Sequence, residues 1–230
     1  MLEINKVSKK ASLEGEDWYH SYGSFWWTNE ECPYAYKYLI PDELYSEKYF
    51  DSKSHPQEAE ALSLYFYMQS VYSELFGKEF KSILELGSGG GFLTKIFQDK
   101  SLDFMVVEGT EAGVQRLIHE IGISNRRIVK EDLRQMNSLY RKFDIVMCTE
   151  VAEHIEPWFA SKIVENCIEH SDNIWFSAAK GTSAPHYHHP NEAPIEAWDN
   201  IFAFLDYNKF VKLDGKFDRA DRLYIKNDKS

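Results

Sequence analysis

A short apolar run that stops abruptly in glycines constrains this chain most: Ile83-Leu84-Glu85-Leu86-Gly87-Ser88-Gly89-Gly90-Gly91-Phe92. The run reads as a buried strand carrying one carboxylate, and residues 92–97 read as a helix start. Glycine reaches positive φ cheaply and lets backbone approach a ligand with no Cβ in the way. The first N–H groups of the helix lack intrahelical partners and face the same turn. Strand, glycine turn and helix together make a small-molecule cofactor loop.

The pattern around this loop extends it into a sheet. Short β-rich runs at residues 82–86, 104–107, 127–130, 143–149 and 173–178 alternate with helical stretches at 92–99, 111–121 and 157–170. Such alternation predicts βαβ units and a doubly wound, mainly parallel α/β sheet of the seven-stranded, Rossmann-like type. A helix over 56–77 precedes it, with Ala61, Leu64, Tyr65, Met68, Val71, Tyr72 and Leu75 on one face. A helix over 194–205 and strands over 210–213 and 222–225 complete a domain of residues 56–230. Residues 1–55 have another texture, an aromatic-rich flap containing Trp18, Trp26, Trp27, Tyr45, Tyr49 and Phe50 with no clean period. Two readings stay open for it: simple packing on the main domain, or a lid over a substrate.

Composition narrows the function classes. A formal charge of −11 with scattered basic residues argues against a nucleic-acid partner, which needs clustered Lys and Arg. No apolar run is long enough to span a bilayer, and the first ten residues lack the apolar core of a signal peptide. Cys32, Cys148 and Cys167 show no paired or metal-type spacing, which predicts free thiols and a cytoplasmic location.

The loop's spacing selects among cofactors. A dinucleotide fingerprint needs its third glycine at position 92, where Phe92 stands, and no Gly-Lys-Ser/Thr closes a phosphate loop. Glu85 lies two residues before Gly87, where a carboxylate repels pyrophosphate but suits an ammonium or sulfonium group. Glu108 ends the second strand, where acids chelate ribose hydroxyls. Asp132 follows the third, where an acid accepts from an exocyclic amino group. Alternatively, Glu108 and Asp132 are solvated loop acids.

With three sites in register, the chain resembles the class I S-adenosylmethionine-dependent methyltransferases over roughly residues 83–207. The resemblance implies S-adenosylmethionine as cofactor, with Gly87, Ser88, Gly89 and Gly91 lining its methionine part. It also implies Glu108 on the ribose, and Asp132 with the Leu133 backbone at the adenine.

Beyond the fourth strand stands Glu150-Val151-Ala152-Glu153-His154. In a helical turn, Glu150, Glu153 and His154 share one face at the lip of the cofactor pocket. They suit either a divalent metal (Mg²⁺ or Mn²⁺, with Zn²⁺ open) or a general-base histidine oriented by an acid. The plain alternative is a histidine satisfying a buried backbone group beside two exposed acids. A second cluster, His186-Tyr187-His188-His189-Pro190-Asn191-Glu192, falls in the loop after the fifth strand.

Glu150–His154, Phe176-Ser177-Ala178-Ala179 and His189-x-Asn191-Glu192-x-Pro194 together resemble a bacterial subfamily associated with glycan and secondary-metabolite pathways. Glu-x-x-Glu-His with a downstream histidine is also similar to the metal-dependent small-RNA 2′-O-methyltransferases. Both resemblances imply O-methylation, here of a sugar, glycan or capsule precursor, or other small molecule. They put His154, His189 and Glu150 in catalysis, and Glu150, Glu153, His154 and His189 around the metal, His189 matching the motif best. Two competitors remain: an NAD(P)-dependent oxidoreductase on a similar fold, and a non-catalytic cofactor-binding partner subunit.

Overall fold

A computed structural model describes residues 2, 4–6, 45, 47–50, 58–179, 189–213 and 221–227. Among the described residues, eight strands form one sheet: β1 (Ile4–Lys6), β2 (Ser82–Leu86), β3 (Asp103–Glu108), β4 (Ile128–Lys130), β5 (Ile145–Thr149), β6 (Asn173–Ser177), β7 (Lys209–Lys212) and β8 (Arg222–Ile225). Their spatial order is β1-β7-β8-β6-β5-β2-β3-β4. Strands β6, β5, β2, β3 and β4 run parallel, while β8, β7 and β1 are antiparallel to their neighbours. The expected doubly wound, mainly parallel sheet is present, with one more strand than expected. The addition is β1, drawn from residues the sequence assigns to the flap.

Helices cover both faces: α1 (Glu47–Phe50), α2 (Glu58–Phe76), α3 (Phe92–Asp99), α4 (Glu111–His119), α5 (Ala160–His170) and α6 (Ile195–Phe204). The period of a strand sorts its side chains between the two sides. In β2, Leu84 and Leu86 join a core with Ile163, Val164, Cys167 and Trp198, from α5 and α6. Ile83, on the other face, joins a second core with Leu64, Met68, Ile96, Phe97 and Leu117, from α2, α3 and α4. Burial on both faces is why the central strands read as unbroken apolar runs rather than alternating ones.

Connection order reverses at β2, which has β3 on one side and β5 on the other. Such a reversal opens a crevice beyond the carboxyl ends of the strands. The glycine loop after β2 and the Glu150–His154 turn after β5 therefore emerge side by side. Cys148 and Cys167 are buried and form no disulfide. No helix among the described residues is long and apolar enough to cross a membrane.

Candidate active site

The glycine loop is built by its own backbone. Gly87, Gly89 and Gly91 have φ of 78°, 50° and 79°, a region side-chain-bearing residues avoid. At Gly87 a Cβ would also stand 2.5 Å from Cγ2 of Val151, so the loop touches the Glu150–His154 turn directly. The Gly87 N–H donates to the Val107 carbonyl at 2.8 Å, carrying the β2–β3 ladder into the turn. Gly91 then caps α3.

Glu108 holds the loop from the next strand. One carboxylate oxygen accepts from the Ser88 N–H (3.3 Å) and hydroxyl (2.9 Å), the other from the Thr110 N–H (3.0 Å) and hydroxyl (2.8 Å). Thr110 caps α4 by accepting from the Gly113 N–H, and a Cβ at Gly113 would lie 2.6 Å from the Glu108 carboxyl carbon. Glu108 is thus a buried, four-times bonded group at 5% exposure, not a solvated loop acid.

Glu85 lies beneath the loop at 2% exposure, accepting from the Thr94 hydroxyl. Burial pushes its carboxyl up to about 8; the Thr94 hydrogen bond opposes this and the Glu108 charge adds to it.

Asp132 is engaged by a residue that sequence reasoning missed. Arg134 donates from Nε and Nη2 to both Asp132 oxygens (2.6–3.0 Å) and from Nη1 to both Glu156 oxygens (2.9 and 3.1 Å). Arg134 and Glu156 are almost fully buried, so this guanidinium ties the segment after β4 to the chain just past the Glu150–His154 turn. The neighbouring Leu133 packs in the core, its carbonyl accepting from Asn166 at 2.7 Å.

Past β5 the chain turns sharply. Glu150 adopts φ 54°, its N–H donating to the Ser177 carbonyl (3.1 Å) and its carboxylate accepting from the Ser177 hydroxyl (2.6 Å). A single 3₁₀ turn, Ala152–His154, follows instead of an α-helical one. Glu150 is outside the group of ligand atoms that close on one another there, although its charge still reaches Glu153. Among the described residues, Glu153, His154 and His189 form the close group, with one ligand atom from each lying within 4.8 Å of the others.

Glu153 is 1% exposed and its Oε2 has no hydrogen-bond partner among the described residues. Burial and then the Glu150 charge hold its carboxyl well above the usual range. The His154 and His189 rings meet edge-on at 4.6 Å. His189 Nδ1 lies 2.9 Å from Glu192 Oε1, and the Asn191 N–H donates to the Glu153 carbonyl at 3.0 Å, pinning the two loops together.

His154 also meets the N-terminal segment. Tyr45 Oη lies 3.1 Å from its Nδ1 and Tyr49 Oη 3.4 Å from its Nε2. Burial, then the charges of Glu153 and Glu108, push the Tyr49 phenol up to about 12. His186 and His188 lie outside the described residues, as does most of the flap.

Residues 63–166 match the family model described as a methyltransferase domain. The fold is similar to the methyltransferase domain of bacterial CtHen1-C (TM-score 0.56, 14% identity, covering 74% of this chain and 98% of that one). It is also similar to WbdD (TM-score 0.56, 14% identity, 74% of this chain and 40% of that one). A third likeness is magnesium protoporphyrin IX methyltransferase from Synechocystis PCC 6803 with bound SAH (TM-score 0.54, 14% identity, 74% and 83%). No curated protein sequence matches.

Proposed function

This chain belongs with the class I S-adenosylmethionine-dependent methyltransferases by its domain match and its fold, and from that premise we propose that it methylates a hydroxyl oxygen. The acceptor is a sugar, glycan precursor or related small molecule, and a divalent cation at Glu153, His154 and His189 assists. One observation carries the reading: Glu153 Oε2 is buried with no partner among the described residues, and one ligand atom each of Glu153, His154 and His189 lie within 4.8 Å of one another. A buried carboxylate oxygen left unpaired is costly, and a cation is the group that would satisfy it. One carboxylate and two imidazoles suit Mn²⁺ or Zn²⁺ better than Mg²⁺, which takes mainly oxygen ligands.

The cofactor supplies the methyl group, and the cation supplies a Lewis acid that lowers the pKa of a bound hydroxyl. The chain's own task is alignment, because transfer from sulfonium to oxygen is an in-line displacement. Gly87, Ser88, Gly89 and Gly91 line the methionine part, with Glu85 beneath its ammonium group. Glu108 exchanges its Ser88 and Thr110 donors for ribose hydroxyls, and Asp132 and Leu133 border the adenine. Glu150, half-buried beside Glu153, takes the acceptor's proton. Tyr45 and Tyr49, which meet His154, help to exclude water from the acceptor side.

The His189–Glu192 pair favours a second, metal-free reading. Nδ1–H held on Glu192 leaves Nε2 to take the acceptor's proton, which contributes on the order of 10²–10⁴-fold. Methyl transfer from labelled S-adenosylmethionine, screened over sugar nucleotides, glycan precursors and a small RNA, separates these readings. Activity that EDTA abolishes and Mn²⁺ or Mg²⁺ restores supports the cation. EDTA-insensitive activity lost in His189→Ala supports the base. Methylation of the RNA alone overturns the acceptor class, against which the charge of −11 weighs.

A further inference from the structure

His154 differs from its neighbour His189 in what holds it. His189 Nδ1 faces a carboxylate oxygen on its own loop, Glu192 Oε1. Both ring nitrogens of His154 face phenol oxygens, contributed from more than 100 residues away in the chain. The two contacts are unequal: 3.1 Å from Tyr45 Oη to Nδ1, and 3.4 Å from Tyr49 Oη to Nε2.

These tyrosines are held as a unit. Their rings meet edge-on at 4.8 Å, and Tyr49 meets Phe50 at 5.4 Å. Phe50 is 5% exposed and borders a cavity on α4 with Arg116 and His119. Arg116 in turn donates from Nε to the Gly90 carbonyl at 3.2 Å. The segment therefore runs from the helix that braces the glycine loop to the imidazole of the catalytic turn.

A neutral imidazole carries one N–H and one lone pair, and a metal takes the lone pair. The opposite N–H needs an acceptor that fixes both tautomer and ring orientation. We propose that Tyr45 is a positioning residue for His154, accepting its Nδ1–H, while the Tyr49 hydroxyl caps the Nε2 lone pair and gives way when the cation binds. The inference rests on the cation reading of the same site and assigns opposite effects to two adjacent phenols. Tyr45 helps the imidazole serve as a ligand; Tyr49 competes with the ion for the same lone pair. A tyrosine oxygen suits the capping role because it donates as readily as it accepts.

Titration of the full chain with Mn²⁺ alone, at matched thermal stability, tests the assignment. Tyr45→Phe should weaken Mn²⁺ binding by about 10-fold or more, the size typical of lost support behind a ligating histidine. Tyr49→Phe should tighten it. Equal affinity in Tyr45→Phe and the parent overturns the proposal, and so does weakening of similar size in both variants, which marks mere packing. Nitrogen-15 spectra of the unmodified, metal-free protein give an answer that needs no variant: the Nδ1–H tautomer at His154 is expected, and the Nε2–H tautomer overturns it. Failure of the parent itself to bind Mn²⁺ is a separate result and overturns the cation reading, not the phenol assignment read from the spectra.

Discussion

Replacing Glu85 by glutamine removes a titrating group without changing a shape, since the amide oxygen still accepts from the Thr94 hydroxyl. The carboxyl titrates near 8 in the folded protein against an ordinary 4.5, raised first by burial. Between those values the native state keeps a proton that the unfolded chain has released. Stability then falls as pH rises through that window, because the folded state binds more protons there. At 1.36 kcal/mol per unit, the penalty should grow by about 2 kcal/mol between pH 6 and pH 8. Glu85→Gln removes the titrating group, so its cofactor-free stability should not share this decline. Urea unfolding at pH 6, 7 and 8 should show the variant gaining on the parent by about 2 kcal/mol over the range. A difference that stays constant with pH, or shrinks, refutes the reasoning. The same carboxyl is proposed to meet the cofactor's ammonium group, which favours the ionised form. Calorimetry of SAH binding at pH 7 in buffers of different ionisation heat should then register release of about one proton in the parent and none in the variant.

Gly87→Ala should abolish SAH binding and lower stability by at least about 1–2 kcal/mol, the cost of a left-handed backbone with a Cβ. Adding Val151→Ala should relieve the clash but not that backbone cost, so rescue in a thermal melt should be partial. Arg134→Met leaves Asp132 and the buried Glu156 without their shared counter-charge, for a loss of about 3–5 kcal/mol in urea unfolding. Combining it with Glu156→Gln should recover part of that loss. Glu192→Gln should weaken Mn²⁺ binding about 10–100-fold by loosening His189, readable by titration.

The strand–loop–helix unit was legible because local signals agree there. An apolar run, a glycine turn and an amphipathic helix need no distant partner, and β2 and α3 lie where the sequence places them. Boundaries moved where a distant group took over the backbone. The fourth strand, read from residue 143, starts at Ile145, because the Phe143 N–H donates to the His170 carbonyl outside the sheet. Strand β1 gave no signal: three residues with a polar centre show no alternation, and they are ordered by ladder bonds to β7.

In the site, the acids and glycines were visible because their spacing is local. Arg134 was not, since an arginine between Leu133 and Gln135 reads as solvated until folding brings Glu156, 22 residues on, against it. Tyr45 and Tyr49 were visible as aromatics, but their contact with His154 spans 109 and 105 residues and leaves no trace in spacing. The 3₁₀ geometry of residues 152–154 was equally hidden, so an α-helical face was expected to include Glu150.

The pairing of β2 with β5 acts as a ruler for the reaction. Ile83, Leu84 and Glu85 face Ile145, Val146 and Met147 in a parallel ladder, which fixes how far the donor side stands from the acceptor side. Such a ruler has coarse divisions. One step is about 3.3 Å and exchanges the two buried faces, so the smallest shift that keeps both cores is two residues, about 6.6 Å. A displacement of that size ends an in-line transfer, for which reacting atoms must sit about 3–3.5 Å apart. Fitting a different acceptor therefore falls to the loops beyond the ladder, where side chains can change while the ruler stays still.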